Sequence, residues 1–143
     1  MEELQLKAMT VMMRASQYMA EVSRQDIKRY GLNITEFAVL ELLYHRGDQP
    51  IQMIGKKILI ASSSITYVVD KLEKKGYVKR VHCATDRRVI FAAITDEGRT
   101  FMEGIFPQHA QQMAKMFEGL TEQELETLVS ITKRVGKTAQ NSL

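Results

Sequence analysis

Residues 61–76, ASSSITYVVDKLEKKG, run directly into residues 77–94, YVKRVHCATDRRVIFAAI. Within the first segment Ile65, Val68, Val69 and Leu72 recur at i, i+3, i+4 and i+7, the period of a helix buried along one stripe. Its other face carries Ser63, Thr66, Tyr67, Lys71 and Lys74, a mixture of small hydroxyls, an aromatic and cations that suits base edges and phosphates. A helix with such a face is by itself more often simply solvated. The second segment changes that balance. Tyr77–Val81 and Val89–Ile94 are β-branched and aromatic, as strands are, and the charged loop between them ends in Asp86-Arg87-Arg88. A helix followed by a basic hairpin is the arrangement with which a winged helix-turn-helix reads DNA.

Charge follows the same division. The chain has 143 residues and a net charge of +3, yet residues 50–91 hold nine Lys and Arg against three Asp and Glu. That central excess of six is set against an acidic excess of three in the flanks, which is the footprint of a polyanion site and not of a generally basic surface. With 45% hydrophobic residues the chain reads as one ordinary domain. No apolar run approaches the roughly 20 residues a bilayer requires, and Glu2 and Glu3 stand where a signal peptide has its basic region, so the cytoplasm is the expected compartment.

Outward from the centre, the remaining elements read as helices. Residues before Gly31 keep a helical period through Ala8, Val11, Met12, Ala15, Tyr18, Met19 and Val22, and hold five of the nine methionines. Methionine suits adaptable interfaces, so partner contact is weighed here against plain core filling. Asn33-Ile34-Thr35-Glu36 reads as a capping box opening a second, mostly apolar helix that stops near Gly47. Pro50 suits the first position of a short helix facing Ile51, Ile54 and Ile58 inward, with a break near Leu59–Ala61 before the amphipathic helix. Thr95 caps a long helix in which Pro107 predicts a kink, and Thr121-Glu122-Gln123-Glu124 caps a last one with Leu125, Leu128, Thr132 and Val135 on its buried face.

Taken in order, these pieces resemble the MarR family of bacterial transcriptional regulators over essentially the whole chain. The residues that carry the resemblance are Gly31-Leu32-Asn33 before Phe37-Ala38-Val39-Leu40, Ser63-Ser64-Ile65-Thr66 through Tyr77-Val78, Asp86-Arg87-Arg88, and Ile94-Thr95-Asp96-Glu97-Gly98. One departure is Ala61, where the family often has a Ser or Thr cap; Ser62 is the expected substitute. The resemblance implies a mainly α fold with a small β-hairpin wing. Residues 33–94 would form the winged helix-turn-helix lobe, and residues 1–31 and 96–143 the dimerisation helices. It further implies a homodimer on double-stranded DNA with a pseudo-palindromic operator. Release by a small aromatic compound is also implied, the likeness being greatest to members that respond to quinones.

The expected DNA contacts are Ser62, Ser63, Ser64, Thr66, Tyr67, Lys71, Lys74, Arg80, Arg87 and Arg88, with Asp86 orienting Arg88. Asp70, an acid on the same helix, is expected to pair with a cation such as Arg80 and not with a base. An effector pocket is expected among Met12, Tyr18, Met19, Phe37, Tyr44 and Phe106, large apolar residues on elements that converge in the family. No cofactor is expected. His45, His82 and His109 lack metal-ligand spacing, and nothing resembles a phosphate loop or nucleophile elbow, so an enzyme is not expected. Two other readings compete: a winged helix docking an acidic protein, and a thiol switch at Cys83, whose neighbours His82, Arg80 and Arg87 would lower its pKa.

Overall fold

In the computed structural model, residues 1–58 and 62–143 are described, the side chains of Ser62 and Ser63 excepted. The helices are α1 (Glu2–Lys28), α2 (Ile34–Arg46), α3 (Ile51–Ile58), α4 (Ser62–Lys74), α5 (Asp96–Ala114) and α6 (Glu122–Asn141). The strands are β1 (Gln49–Pro50), β2 (Val78–His82) and β3 (Ile90–Ile94), and a single 3-10 turn (Lys115–Phe117) follows α5. The expected break near Leu59–Ala61 and the cap by Ser62 lie outside the described residues.

The core is the winged lobe. Val39, Leu40 and Leu43 of α2, Ile54 of α3, and Ile65, Val68, Val69 and Leu72 of α4 are buried together with Val78, Ala92 and Met102. The stripe read from the sequence of α4 is therefore the stripe it buries. Asn33 caps α2 as expected, its Oδ1 accepting from the Glu36 N–H at 2.8 Å while Glu36 Oε1 accepts from the Asn33 N–H at 3.1 Å. Thr95 caps α5 by accepting from the Gly98 N–H at 3.0 Å, and its own hydroxyl donates to the Gly76 carbonyl at 2.6 Å. Gly76 ends α4 at φ +83°, a left-handed conformation that glycine adopts without penalty. At Gly98 the reason is space: a Cβ there would stand 2.2 Å from the Tyr77 carbonyl oxygen, so only glycine lets α5 begin against the wing.

Three expectations are corrected. The sheet has three strands in the order β1-β3-β2, all antiparallel, where a two-stranded hairpin was expected. Pro50 pairs with Phe91 at the sheet edge, and α3 begins one residue later; an edge strand tolerates the missing N–H. Second, β2 and β3 each start one residue later than the sequence suggests, Val78 opposite Ile94 and His82 opposite Ile90. Third, α6 buries no residue at all: Leu128 and Val135, expected on a buried face, are about half exposed. Among the described residues, none covers that face enough to bury a side chain of α6. α5 runs through Pro107 as one helix.

α1 is the other unusual element. Of its 27 residues only Asp26 and Ile27, in the last turn, are buried. The rest projects from the lobe with Leu4, Leu6, Met9, Val11, Met13 and Tyr18 each more than half exposed.

Candidate nucleic-acid interface

α4 and the β2–β3 loop present their polar groups outward. Ser64, Thr66 and Lys74 are exposed, and Tyr67 is 63% exposed, so its ring does not cover the core. Lys71 stands over the Tyr67 ring with Nζ 5.3 Å from the centroid, a cation–π contact that holds both side chains on one face. Ser62 and Ser63, also expected here, have side chains outside the described residues.

The loop is organised around Asp86. Its Oδ1 accepts from the Arg88 backbone N–H at 3.0 Å and from Arg88 Nε at 3.2 Å, and its Oδ2 from Arg88 Nη2 at 3.4 Å. The Arg88 N–H bond and then its guanidinium hold the Asp86 carboxyl below the usual range, so it stays ionised as a clamp. The Arg88 side chain is nevertheless 91% exposed. A charged, fork-shaped donor is thus held in one direction at the tip of a hairpin. Gln52 of α3 donates to the Arg88 carbonyl at 3.4 Å, tying the loop to the helix-turn-helix. Arg87 is exposed beside it.

Arg80 does something different from what its charge suggests. Its Nη2 donates to Asp70 Oδ1 at 2.6 Å and its Nη1 to Glu73 Oε1 at 2.7 Å, and its side chain is only 25% exposed. Asp70 therefore pairs with Arg80, as the sequence suggests, and the guanidinium is spent on neutralising two acids of α4. It braces α4 against β2 and leaves a surface that does not repel phosphate.

Behind this face a second ion pair fixes α4. Lys75 donates to Glu36 Oε2 at 2.8 Å and to the Gly31 carbonyl at 3.0 Å. Burial alone would raise the Glu36 pKa, but the Lys75 bond, the Asn33 N–H and the charges of Lys75 and Lys71 outweigh it and hold the carboxyl below its ordinary value. Neither Glu36 nor Gly31 stood out in the sequence as a partner of α4, because both lie about forty residues away.

Cys83 is half-buried at the base of the loop, with Sγ 3.3 Å from Thr85 Oγ1. Its thiol is lowered, first by that hydrogen bond and then by backbone bonds from Thr85 and Asp86, while the Asp86 charge works against the shift. The neighbouring cations named from sequence are not its cause.

The expected pocket residues do not form one wall. Met12, Tyr18 and Met19 are exposed along α1, Phe37 is buried, and Tyr44 packs edge-on against His45. Phe106 alone of the six lines a cleft of about 440 Å³ between α2, the end of α3 and α5, shared with Ala38, Glu41, Leu42, His45, Arg46 and Ile58. Ala38, Leu42 and His45 recur at helical spacing, a signal the sequence carried but that core packing on α2 concealed.

Comparison with known proteins agrees with this geometry. The signature of the MarR family matches residues 32–90. The HTH-type transcriptional regulator MhqR of Bacillus subtilis is 51% identical over 98% of this chain and 97% of its own length. This chain belongs to the MarR family. As a MarR-family member it is a DNA-binding transcriptional regulator and not an enzyme. A second B. subtilis protein, the HTH-type transcriptional regulator YkoM, is 42% identical over 93% of the chain and 86% of its length. Among solved structures, Sco3205 of Streptomyces coelicolor, a MarR-family regulator in complex with DNA, superposes with a TM-score of 0.86 at 25% identity over 97% of this chain and 92% of that one. Among the described residues, no helix is long and apolar enough to cross a membrane.

Proposed function

We propose that this MarR-family chain is a homodimeric repressor acting in the cytoplasm, which holds a pseudo-palindromic operator and releases it on binding a small aromatic compound of phenolic or quinone type. The observation that carries the DNA-reading part is the clamped Arg88, held outward by Asp86 beside the hydroxyl, tyrosine and lysine face of α4. Ser64, Thr66, Tyr67, Lys71 and Lys74, with Ser62 and Ser63, enter the major groove, and Arg87 and Arg88 reach the flanking minor groove.

The dimer reading rests on the uncovered apolar faces. α1 leaves Leu4, Leu6, Met9, Val11 and Met13 outside, and α6 leaves Leu128, Val129, Ile131 and Val135 outside. Exposed apolar area of that extent marks an interface, and a second copy covers it symmetrically. Residues 1–31 and 96–143 then form the dimerisation lobe and residues 33–94 the DNA-binding lobe. The effector reading rests on the cleft, whose volume of about 440 Å³ falls within the usual range for small ligands and whose apolar wall is Ala38, Leu42, Ile58 and Phe106.

The test has two arms. Removal of residues 1–20 yields monomer or aggregate in light scattering and abolishes operator binding; a soluble DNA-binding dimer contradicts the reading. A panel of phenols and quinones includes compounds that lower DNA affinity and raise thermal stability of the free protein. If none changes either quantity, the effector part is wrong.

A further inference from the structure

Among the described residues, α1 is buried against the winged lobe in its last turn, at Asp26 and Ile27. In that turn Asp26 is 6% exposed, and its Oδ2 lies 2.9 Å from Nδ1 of His109, a residue of α5 that is 7% exposed. An ionised carboxylate only accepts, so the His109 Nδ1 carries the proton and donates. Arg29 donates to the other Asp26 oxygen at 3.1 Å, and the Tyr30 hydroxyl is buried nearby, without a hydrogen-bond partner of good geometry among the described residues and with its pKa raised by burial and by the Asp26 charge. The other face of the pair touches α2: the His109 ring lies 4.6 Å from that of Phe37. Phe37 directly follows Glu36, which holds Lys75 just beyond the end of α4. A continuous series of contacts therefore runs from α1 through Asp26, His109, Phe37, Glu36 and Lys75 to the helix that carries the DNA-reading face.

We infer that the Asp26–His109 hydrogen bond is the joint that sets the angle between the terminal helices and the winged lobe, and thereby the separation of the two α4 helices across a dimer. The inference rests on the dimeric reading above. Its physical basis is the cost of the alternative. A buried hydrogen-bonded pair that includes a carboxylate has one favoured geometry, and sliding α1 along α5 would strand His109 unpaired in a dry site and leave Asp26 with only its bond to Arg29. Apolar packing at the same place, around Ile27 and Leu32, tolerates small shifts far better. His109 and Asp26 are positioning residues: neither lies on the exposed face of α4 or in the wing.

Spatial continuity does not itself demonstrate coupling, so the test reads the geometry directly. The probe is the best-bound pseudo-palindrome that the parent protein selects from a random duplex library, together with duplexes in which its half-sites are moved one base pair closer or farther. His109→Phe keeps the ring against Phe37 and removes the donor. Asp26→Asn keeps an acceptor. The double variant Asp26→Leu with His109→Leu removes both polar partners and so leaves no stranded charge, which protects the experiment against a single variant that does not fold. The parent loses about tenfold or more in affinity on the shifted duplexes, a ratio of the size allosteric couplings reach. His109→Phe and the double variant bind all three spacings within about threefold of one another, with scrambled-duplex binding unchanged, while Asp26→Asn keeps the parental preference. A folded double variant with the parent's spacing profile overturns the inference and leaves the dimeric reading intact. A parent indifferent to spacing overturns the dimeric operator reading itself, and the joint with it.

Discussion

At the scale of residues, two arginines of similar sequence context have opposite roles, and partners decide which. Arg88 has one carboxylate behind it and open space in front; Arg80 has two carboxylates on it and little exposure. Arg88→Ala is therefore expected to weaken operator binding by roughly 1–3 kcal/mol and to flatten any preference for A·T pairs beside the half-sites, since narrow A·T-rich minor grooves concentrate negative potential. Arg88→Lys recovers part of the loss, because an ammonium cannot reproduce the fork. Lys74→Ala weakens operator and scrambled duplexes alike and lowers the salt slope by about one. Affinity titrations at several salt concentrations separate the two patterns. Arg80→Ala instead uncovers Asp70 and Glu73, so it weakens binding to every duplex, and adding Asp70→Ala and Glu73→Ala restores most of it. If Arg80→Ala loses affinity that the acid substitutions do not return, Arg80 touches DNA itself.

At the scale of elements, the sequence reads best where local chemistry decides. Ile65, Val68, Val69 and Leu72 declared the buried stripe of α4, Asn33 and Glu36 the start of α2, and Thr95 that of α5, because periodicity and caps are local signals. The two-residue strand Gln49–Pro50 was invisible, since its pairing with Phe91 and Ala92 depends on a strand forty residues away. So was the Asp26–His109 pair, 83 residues apart. The α6 face was misplaced for another reason: an amphipathic helix looks the same whether its apolar stripe meets its own chain or another. The contact between α2 and α4 carries a pH signature. Glu36 is held below its ordinary value near 4.5, so its pair with Lys75 adds stability above that value and loses it as pH falls through the depressed folded value. Thermal melts of the parent and Glu36→Gln should therefore differ most near pH 7 and converge as pH falls below about 4. A difference that persists undiminished at about pH 3 would mean that the carboxylate charge is not what holds α4 there.

At the scale of the whole molecule, the chain is a well-buried winged lobe carrying two helices whose apolar faces it cannot cover. α1 extends about 40 Å at the usual rise per residue, and buries only its last turn. In the dimeric reading proposed above, that asymmetry calls for a second copy, and the DNA-binding face gains its symmetry from it: two α4 helices and two wings would address one duplex. Successive major grooves lie about one helical turn apart, so half-sites should recur at about 10 base pairs. The most direct measurement is selection of bound duplexes from a random library, followed by the mass of the resulting complex in solution. The expected result is an inverted repeat with half-sites about one turn apart, bound by two chains per duplex. Enrichment of a single unrepeated half-site bound by one chain, or no enrichment over random duplex, would contradict the account.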